Sequence, residues 1–259
     1  MIIPRKIQLA FERRIPISPC IALVGARQAG KTTFLKEQAK TKNANYVSFD
    51  DPDARDMFEQ DVQKFDSQYL AGHERTILDE VHQAKGAGSK LKYLVDGGRR
   101  LWLSSSSETL LGREVLSALV GRVSILRLYP FSLSEFMLAR GMKEQTTEIV
   151  RRMVWEHMVW GGYPAIVISE GAEDKAILLS DLRQTLLLRD IAQVFSITDS
   201  RSLEDLSRYL ARQSGGLLSY ESVGSQLDLS FPTLKKYLNA MEAAYLITRV
   251  KPFYTNKAK

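Results

Sequence analysis

Eight consecutive residues, Gly25-Ala26-Arg27-Gln28-Ala29-Gly30-Lys31-Thr32, follow the spacing G-x-x-x-x-G-K-[ST]. That spacing suits a polyphosphate. Glycines let the backbone wrap closely around an anion, while loop amides and a helix N-terminus present donors and a positive dipole. Lys31 would reach the β- and γ-phosphates, and Thr32 would offer a hydroxyl to Mg²⁺. Gly25, Gln28, Ala29, Gly30, Lys31, Thr32 and Thr33 are therefore the expected nucleotide-binding residues. The bland alternative is a chance octapeptide between ordinary elements. The context argues against it, because the apolar run Cys20 to Val24 precedes the loop and a helix-forming stretch, Lys31 to Lys40, follows it.

A second half of such a site belongs at the end of a neighbouring strand, and Thr76-Ile77-Leu78-Asp79-Glu80 supplies it. Asp79 would hold Mg²⁺ through its water shell. Glu80, one residue later and on the other side of the strand, could polarise the water that attacks the γ-phosphate. The structural alternative is an acidic pair that merely ends a strand, with His82 a loop residue. A glutamate directly after the aspartate fits the nucleotide hydrolases that carry their own carboxylate. Guanine recognition usually shows Asn/Thr-Lys-x-Asp; the nearest strings, Thr41-Lys42-Asn43-Ala44 and Asn256-Lys257-Ala258-Lys259, lack the aspartate. The expected nucleotide is ATP. The run Leu101-Trp102-Leu103 leads directly into Ser104-Ser105-Ser106-Ser107. A hydroxyl there could contact the attacking water or the γ-phosphate, with Ser106 favoured over Ser104, or the serines could form a turn.

Positioning these groups requires a sheet. Cys20 to Val24, Asn45 to Phe49, Thr76 to Leu78, Leu101 to Leu103 and Val123 to Leu128 are short apolar runs separated by helical or loop segments. They predict an α/β fold of the P-loop type: a parallel five-stranded sheet with helices on both faces. Residues 1 to 15 read as a basic arm or helix. Helical periodicity then dominates from Glu148 to Trp160 and from Asp174 to Phe195, broken by Gly161-Gly162-Tyr163-Pro164. The expected domains are a nucleotide-binding core at 1–140, a helical lid at 141–200 and a winged-helix-like module at 201–259.

The composition of the 259 residues is compatible with this. Hydrophobic residues make up 44%, enough for a sizeable core and a smaller module. A net charge of +6 permits contact with nucleic acid without requiring it. One cysteine, Cys20, rules out an intramolecular disulfide and a cysteine-built metal cluster, and His73, His82 and His157 lack ligand spacing. The first residues lack an apolar leader segment and the longest apolar run is far too short to span a bilayer, so a cytoplasmic protein without a membrane partner is expected.

In combination, several segments resemble the AAA+-type ATPases of archaea and bacteria that pair an ATPase core with a winged helix and usually a nuclease-like C-terminal domain. They are Val24 to Thr33, Leu78-Asp79-Glu80-Val81-His82, Leu119-Val120-Gly121-Arg122-Val123, Leu128-Tyr129-Pro130-Phe131-Ser132 with Ser134-Glu135-Phe136, Gly161-Gly162-Tyr163-Pro164 and Leu188-Arg189-Asp190-Ile191. The resemblance implies ATP, the AAA+ strand order, a helical lid and a winged helix. Two departures stand out: Ser105 occupies a position where the group usually has glycine, and the sequence stops at Lys259, before the nuclease-like domain. A fragment, or a form without that domain, is expected. Arg122 is the candidate for an arginine that completes a neighbour's ATP site, since only Arg is always charged and able to fork around phosphate oxygens. This reading implies a homo-oligomer or a protein partner; the alternative is a solvated arginine at a strand start. Arg189 is either a phosphate-sensing residue or half of a salt-bridging pair with Asp190.

In the last module, Ser219 to Leu227 and Phe231 to Ala244 read as helices joined by a turn, with Ser230 as cap and Pro232 in the first turn. Leu234, Tyr237, Leu238 and Met241 form the buried stripe, leaving Lys235, Lys236 and Asn239 outside. Tyr245 to Val250 is the expected following strand. From Asp228 to Lys259 six Lys or Arg face two acidic residues. That balance suits double-stranded DNA contact through residues 219–253, or else a module used for protein packing.

Overall fold

A computed structural model of the chain describes residues 2–40, 42–106, 111–142 and 146–250, apart from the side chains at 113, 114, 188–190 and 193. Among the described residues, strands β1 (Cys20–Val24), β2 (Ala44–Ser48), β3 (Arg75–Asp79), β4 (Leu101–Ser105) and β5 (Val123–Arg127) form one sheet in the order β2-β3-β4-β1-β5. Every pairing is parallel. Each strand falls within two residues of the apolar run that predicted it.

Both faces are buried, which is why the strands read as nearly continuous apolar runs. Cys20, Ala22 and Val24 alternate onto one face, where they meet Leu78, Leu101 and Leu103. Helices α3 (Pro52–Gln60), α4 (Val62–Phe65) and α5 (Ala87–Asp96) cover it, through residues such as Phe58, Phe65 and Leu91. Ile21 and Leu23 alternate onto the other face, with Ile77 and Trp102, under α1 (Ile7–Arg14) and α2 (Lys31–Lys40). The basic arm is anchored here. Phe11 of α1 is fully buried, edge-on to Phe34 at 5.2 Å and Trp102 at 4.9 Å between ring centroids.

Among the described residues, α6 (Leu133–Ala139), α7 (Thr147–Trp160), α8 (Pro164–Ile168) and α9 (Ala172–Thr185) follow the sheet. Ser132 and Glu135 form a capping box on α6, and Thr146 caps α7. Gly161, at φ 73, ends α7. Phe131, Phe136, Met137, Met153 and Val167 form a small core among these helices. Beyond α9 come a π-helical stretch, Leu186–Gln193, and then α10 (Ser200–Arg212), α11 (Tyr220–Leu227) and α12 (Phe231–Ala243).

The chain divides into two compact units, residues 1–183 and 184–259. Expected breaks at 140 and 200 therefore differ from the structure. Helices α6 to α9 fall within the sheet-bearing unit, and the second unit begins earlier because Leu187 and Ile191 share a core with Leu203, Leu234 and Leu238. Helices α11 and α12 match the sequence reading, with Ser219 and Ser230 as caps. The expected strand at Tyr245 to Val250 does not form. Tyr245 takes a left-handed φ of 61, Leu246 donates its N–H back to Met241 O at 2.9 Å, and the described part of this unit contains no strand to pair with.

Candidate functional site

Parallel strands put all their C-terminal ends on one edge, so Gly25, Asp79 and Ser104–Ser106 gather there from β1, β3 and β4. Leu128 passes directly against the loop that leaves β1: a Cβ at Gly25 would lie 2.1 Å from Leu128 O. No larger residue fits. Gln28 at φ 60 and Gly30 at φ 95 turn the chain before α2 begins at Lys31. Lys31 is 5% exposed, and its ammonium donates to Gly25 O at 3.0 Å and Ala26 O at 2.9 Å. The charge is thus held within the loop, where an anion would be received.

Asp79, 3% exposed, accepts three hydroxyls. Thr32 Oγ1 and Tyr46 OH donate to its Oδ2 at 2.8 and 2.7 Å, and Ser104 Oγ donates to Oδ1. Tyr46 pairs with Ile77 in the sheet register. It therefore lies on the same face as Asp79, two residues further along β3, within reach of a long side chain. Burial, followed by the neighbouring carboxylate, pushes the Tyr46 phenol well above its ordinary range and keeps it a donor.

Glu80 takes a left-handed conformation, φ 52, at the end of β3. Its own N–H donates to Ser104 Oγ at 3.2 Å. Its carboxylate accepts the Ser106 N–H at 3.2 Å and lies 3.2 Å from His82 Nδ1. The same ring nitrogen is 3.0 Å from Ser105 Oγ. The serine run is thereby divided among Asp79, His82 and Glu80. Ser106 contributes a backbone amide to that arrangement, whereas Ser104 contributes the hydroxyl; Ser107 lies outside the described residues. A cavity of about 400 Å³ adjoins Gly30 and Thr33, lined also by Ile2, Ile3, Phe34 and Pro164.

Of the remaining candidates, Arg122 stands apart. Arg122 precedes β5, at the opposite end of the sheet from the loop of its own chain, and forks onto Asp96 at 2.5 and 3.3 Å. The side chain of Arg189 lies outside the described residues. Sequence reasoning missed Tyr46, the contact of Ser104 with Asp79, the placement of His82, and Arg5. Arg5 donates to Ala29 O in the phosphate loop at 2.9 Å. None of these has a local signal; only strand register and the path of the arm bring them to the site.

In the second unit, Lys235 and Lys236 are exposed on α12, but Lys236 Nζ donates to Ser196 O at 3.1 Å. Asn239 Oδ1 accepts from Arg249 Nη2 at 2.7 Å, and Arg249 also grips Glu242 and Tyr220 OH. Lys251, Lys257 and Lys259 lie outside the described residues.

The sheet order, the glycine loop and the acidic strand end define an α/β P-loop fold. Residues 18–137 match a family described as an AAA domain, and residues 151–259 match a domain of unknown function. The chain is 25% identical over 247 residues to an uncharacterized protein of Haemophilus influenzae, covering 88% of this chain and 61% of that protein. It is 26% identical over 264 residues to an uncharacterized protein of Mycobacterium tuberculosis, covering 100% of this chain and 56% of the relative. The chain thus spans little more than half the length of these curated relatives. Among solved structures, the Walker-type ATPase of Pyrococcus abyssi superposes with a TM-score of 0.55 at 13% identity, covering 94% of this chain and 90% of that one. Residues 18–137 are thus similar to an AAA domain, and the sheet-bearing unit has the α/β fold of a P-loop ATPase. Among the described residues no helix is long and apolar enough to cross a membrane.

Proposed function

We propose that this chain binds ATP with Mg²⁺ and hydrolyses it to ADP and phosphate. The observation that carries this reading is the joining of loop and acidic strand: Thr32 Oγ1 donates to Asp79 Oδ2 at 2.8 Å, with the Glu80 carboxylate anchored one residue beyond. A hydroxyl and a carboxylate from two elements are the hard oxygen donors that Mg²⁺ accepts alongside phosphate oxygens and water. The cradle also fits, since Gly25 leaves no room for a side chain and Lys31 supplies a buried cation. When bound, the metal neutralises charge on the β- and γ-phosphates.

The chain's own residues do the rest. Loop amides and Lys31 hold the phosphates, Thr32 and Asp79 hold the cation, and Glu80 orients water as a general base. Ser106 N–H fixes the Glu80 carboxylate, and the 400 Å³ cavity offers room for the base. Ser106 Oγ and Arg189 stay in the proposal as γ-phosphate contacts, and Arg122, which faces away from its own loop, as the residue a neighbouring copy would receive. The mechanical output is movement of the helices that follow the core, possible on duplex DNA through residues 219–253. In that region Lys235 is the candidate phosphate contact, because Lys236, Asn239 and Arg249 have partners within their own unit. The competing reading is a slow nucleotide switch, and Glu80 separates the two, since a switch has no need of a positioned base.

The test is ATP turnover by the purified chain, with and without duplex DNA, alongside Glu80→Gln. The variant should bind ATP normally and turn it over ~100-fold more slowly, the scale of a lost general base. Equal turnover by variant and wild type removes Glu80 from the mechanism.

A further inference from the structure

The segments Tyr129-Pro130-Phe131-Ser132 and Ser134-Glu135-Phe136 stood out in the sequence, yet the proposed function gives them no role. The structure shows what they hold. Arg5, in the arm before α1, has a side chain only 8% exposed, and all three of its nitrogens donate. Nε reaches Glu135 Oε1 at 3.1 Å, Nη1 reaches Ala29 O at 2.9 Å and Nη2 reaches Tyr129 O at 2.5 Å. The guanidinium also lies 4.8 Å from the centre of the Phe131 ring. Glu135 is equally enclosed: it accepts Lys6 N–H at 2.7 Å on one oxygen, and Ser132 N–H and Oγ at 2.8 and 3.0 Å on the other. Burial alone would raise the Glu135 pKa, but these hydrogen bonds and the Arg5 charge outweigh it and leave the carboxyl below its ordinary range. The Glu135 carboxylate is thereby held charged against Arg5.

The contact with Ala29 has a direct consequence for phosphate binding. A trans peptide is planar, with its C=O and the following N–H on opposite sides. Holding Ala29 O toward Arg5 therefore turns Gly30 N–H to the side away from Arg5. Nothing local enforces that orientation, because glycine at φ 95 lets the peptide plane rotate at little steric cost. Planar, forked geometry is what permits one side chain to reach three acceptors at once, and lysine does not have it.

We propose that Arg5 is a positioning residue for nucleotide binding: clamped by Glu135 and Tyr129 O, it fixes the Ala29–Gly30 peptide in the orientation that offers Gly30 N–H to a phosphate. This rests on the nucleotide reading above and adds a residue outside the phosphate-loop motif to it. The proposal predicts a loss in ground-state affinity rather than in chemistry.

The experiment is ADP binding by calorimetry and ATP turnover for the full chain, compared with Arg5→Lys and Arg5→Ala, with thermal melting of each. Arg5→Lys keeps a cation beside Glu135 but cannot span the three acceptors. It should melt near wild type, bind ADP at least tenfold more weakly, and show a raised KM with kcat within about threefold. Folded variants that bind ADP as tightly as wild type overturn the proposal. A second measurement needs no variant: ADP should slow amide exchange in residues 2–8 as well as in residues 25–32, since a bound phosphate and the clamp favour the same peptide orientation. Protection confined to the loop also overturns it. Failure of the unaltered protein to bind ADP would instead count against the nucleotide reading itself.

Discussion

The loop edge of the sheet and the helix pair α11–α12 both gather polar side chains that could meet phosphates, but they use their hydrogen bonds for opposite ends. At the sheet edge, Asp79 is held by hydroxyls from α2, β2 and β4. Those bonds aim the carboxylate at the same place Thr32 occupies. On the helix pair, Arg249 closes over Glu242 and Asn239, and Lys236 turns back to Ser196 O. There the partners consume the groups. Preorganisation and neutralisation look alike in a list of contacts; the difference lies in whether partners from separate elements converge on one point.

Arg122 tests this comparison most severely, since it is paired with Asp96 as the C-terminal residues are paired, yet is proposed to act in a neighbour's site. Arg122→Ala should then lower turnover ~1,000-fold, the lower range for arginines that contact a transferring phosphoryl group. Mixing it with Glu80→Gln protein should restore part of the activity through hybrid interfaces that keep one intact site. Full activity of Arg122→Ala alone would place Arg122 with the neutralised group.

At the sheet edge, Lys31→Ala should weaken ATP binding by ~100-fold or more, because it removes a buried charge from the cradle. Calorimetric titration with ATP checks this, and unchanged affinity would mean that the loop does not receive phosphates. A smaller effect belongs to Tyr46→Phe, which leaves Thr32 and Ser104 on Asp79 and removes one outer partner. The Mg²⁺ concentration for half-maximal turnover should rise ~10-fold, as for other groups that orient a metal ligand. No shift would show that the Tyr46 hydroxyl merely fills space beside Asp79.

The smallest expected effect lies on the helix pair. If Lys235 contacts a DNA phosphate, Lys235→Ala should flatten the dependence of log affinity on log salt by about 0.9 and weaken binding equally on unrelated sequences. Lys236→Ala should add less, because its ammonium already has a carbonyl partner. Fluorescence anisotropy across a salt series measures both. Absence of duplex binding by wild type at low salt would sink the DNA reading and leave the helices as a packing surface.

Much of this was legible in the sequence because it is local. The loop motif, the Asp79-Glu80 pair and the cap Ser230 depend on short-range spacing, and the five strands announce themselves as apolar runs because both faces of the sheet are covered. The reading of Tyr245 to Val250 as a strand failed for the complementary reason. Its aromatic and β-branched residues suit a strand, but a strand needs a partner, and in this unit Arg249 N–H and the Leu246 turn are tied back to α12 instead. The contact of Ser104 with Asp79 was not legible, because it depends on the pairing of Leu78 with Leu103 one residue before each, which only the fold supplies.

What the sequence determined by itself is the chemistry of the phosphate loop, since each of its requirements, glycine freedom, a cation and a hydroxyl at the helix start, is met within eight consecutive residues. The tertiary structure alone decided how that loop is held. Arg5 lies 24 residues before Ala29 and 130 before Glu135, and Tyr46 lies 33 residues from Asp79. Contacts across such separations leave no periodic or spacing signal. They exist because the arm is pinned by Phe11 between Phe34 and Trp102, and because parallel strands bring β2 and β3 into register.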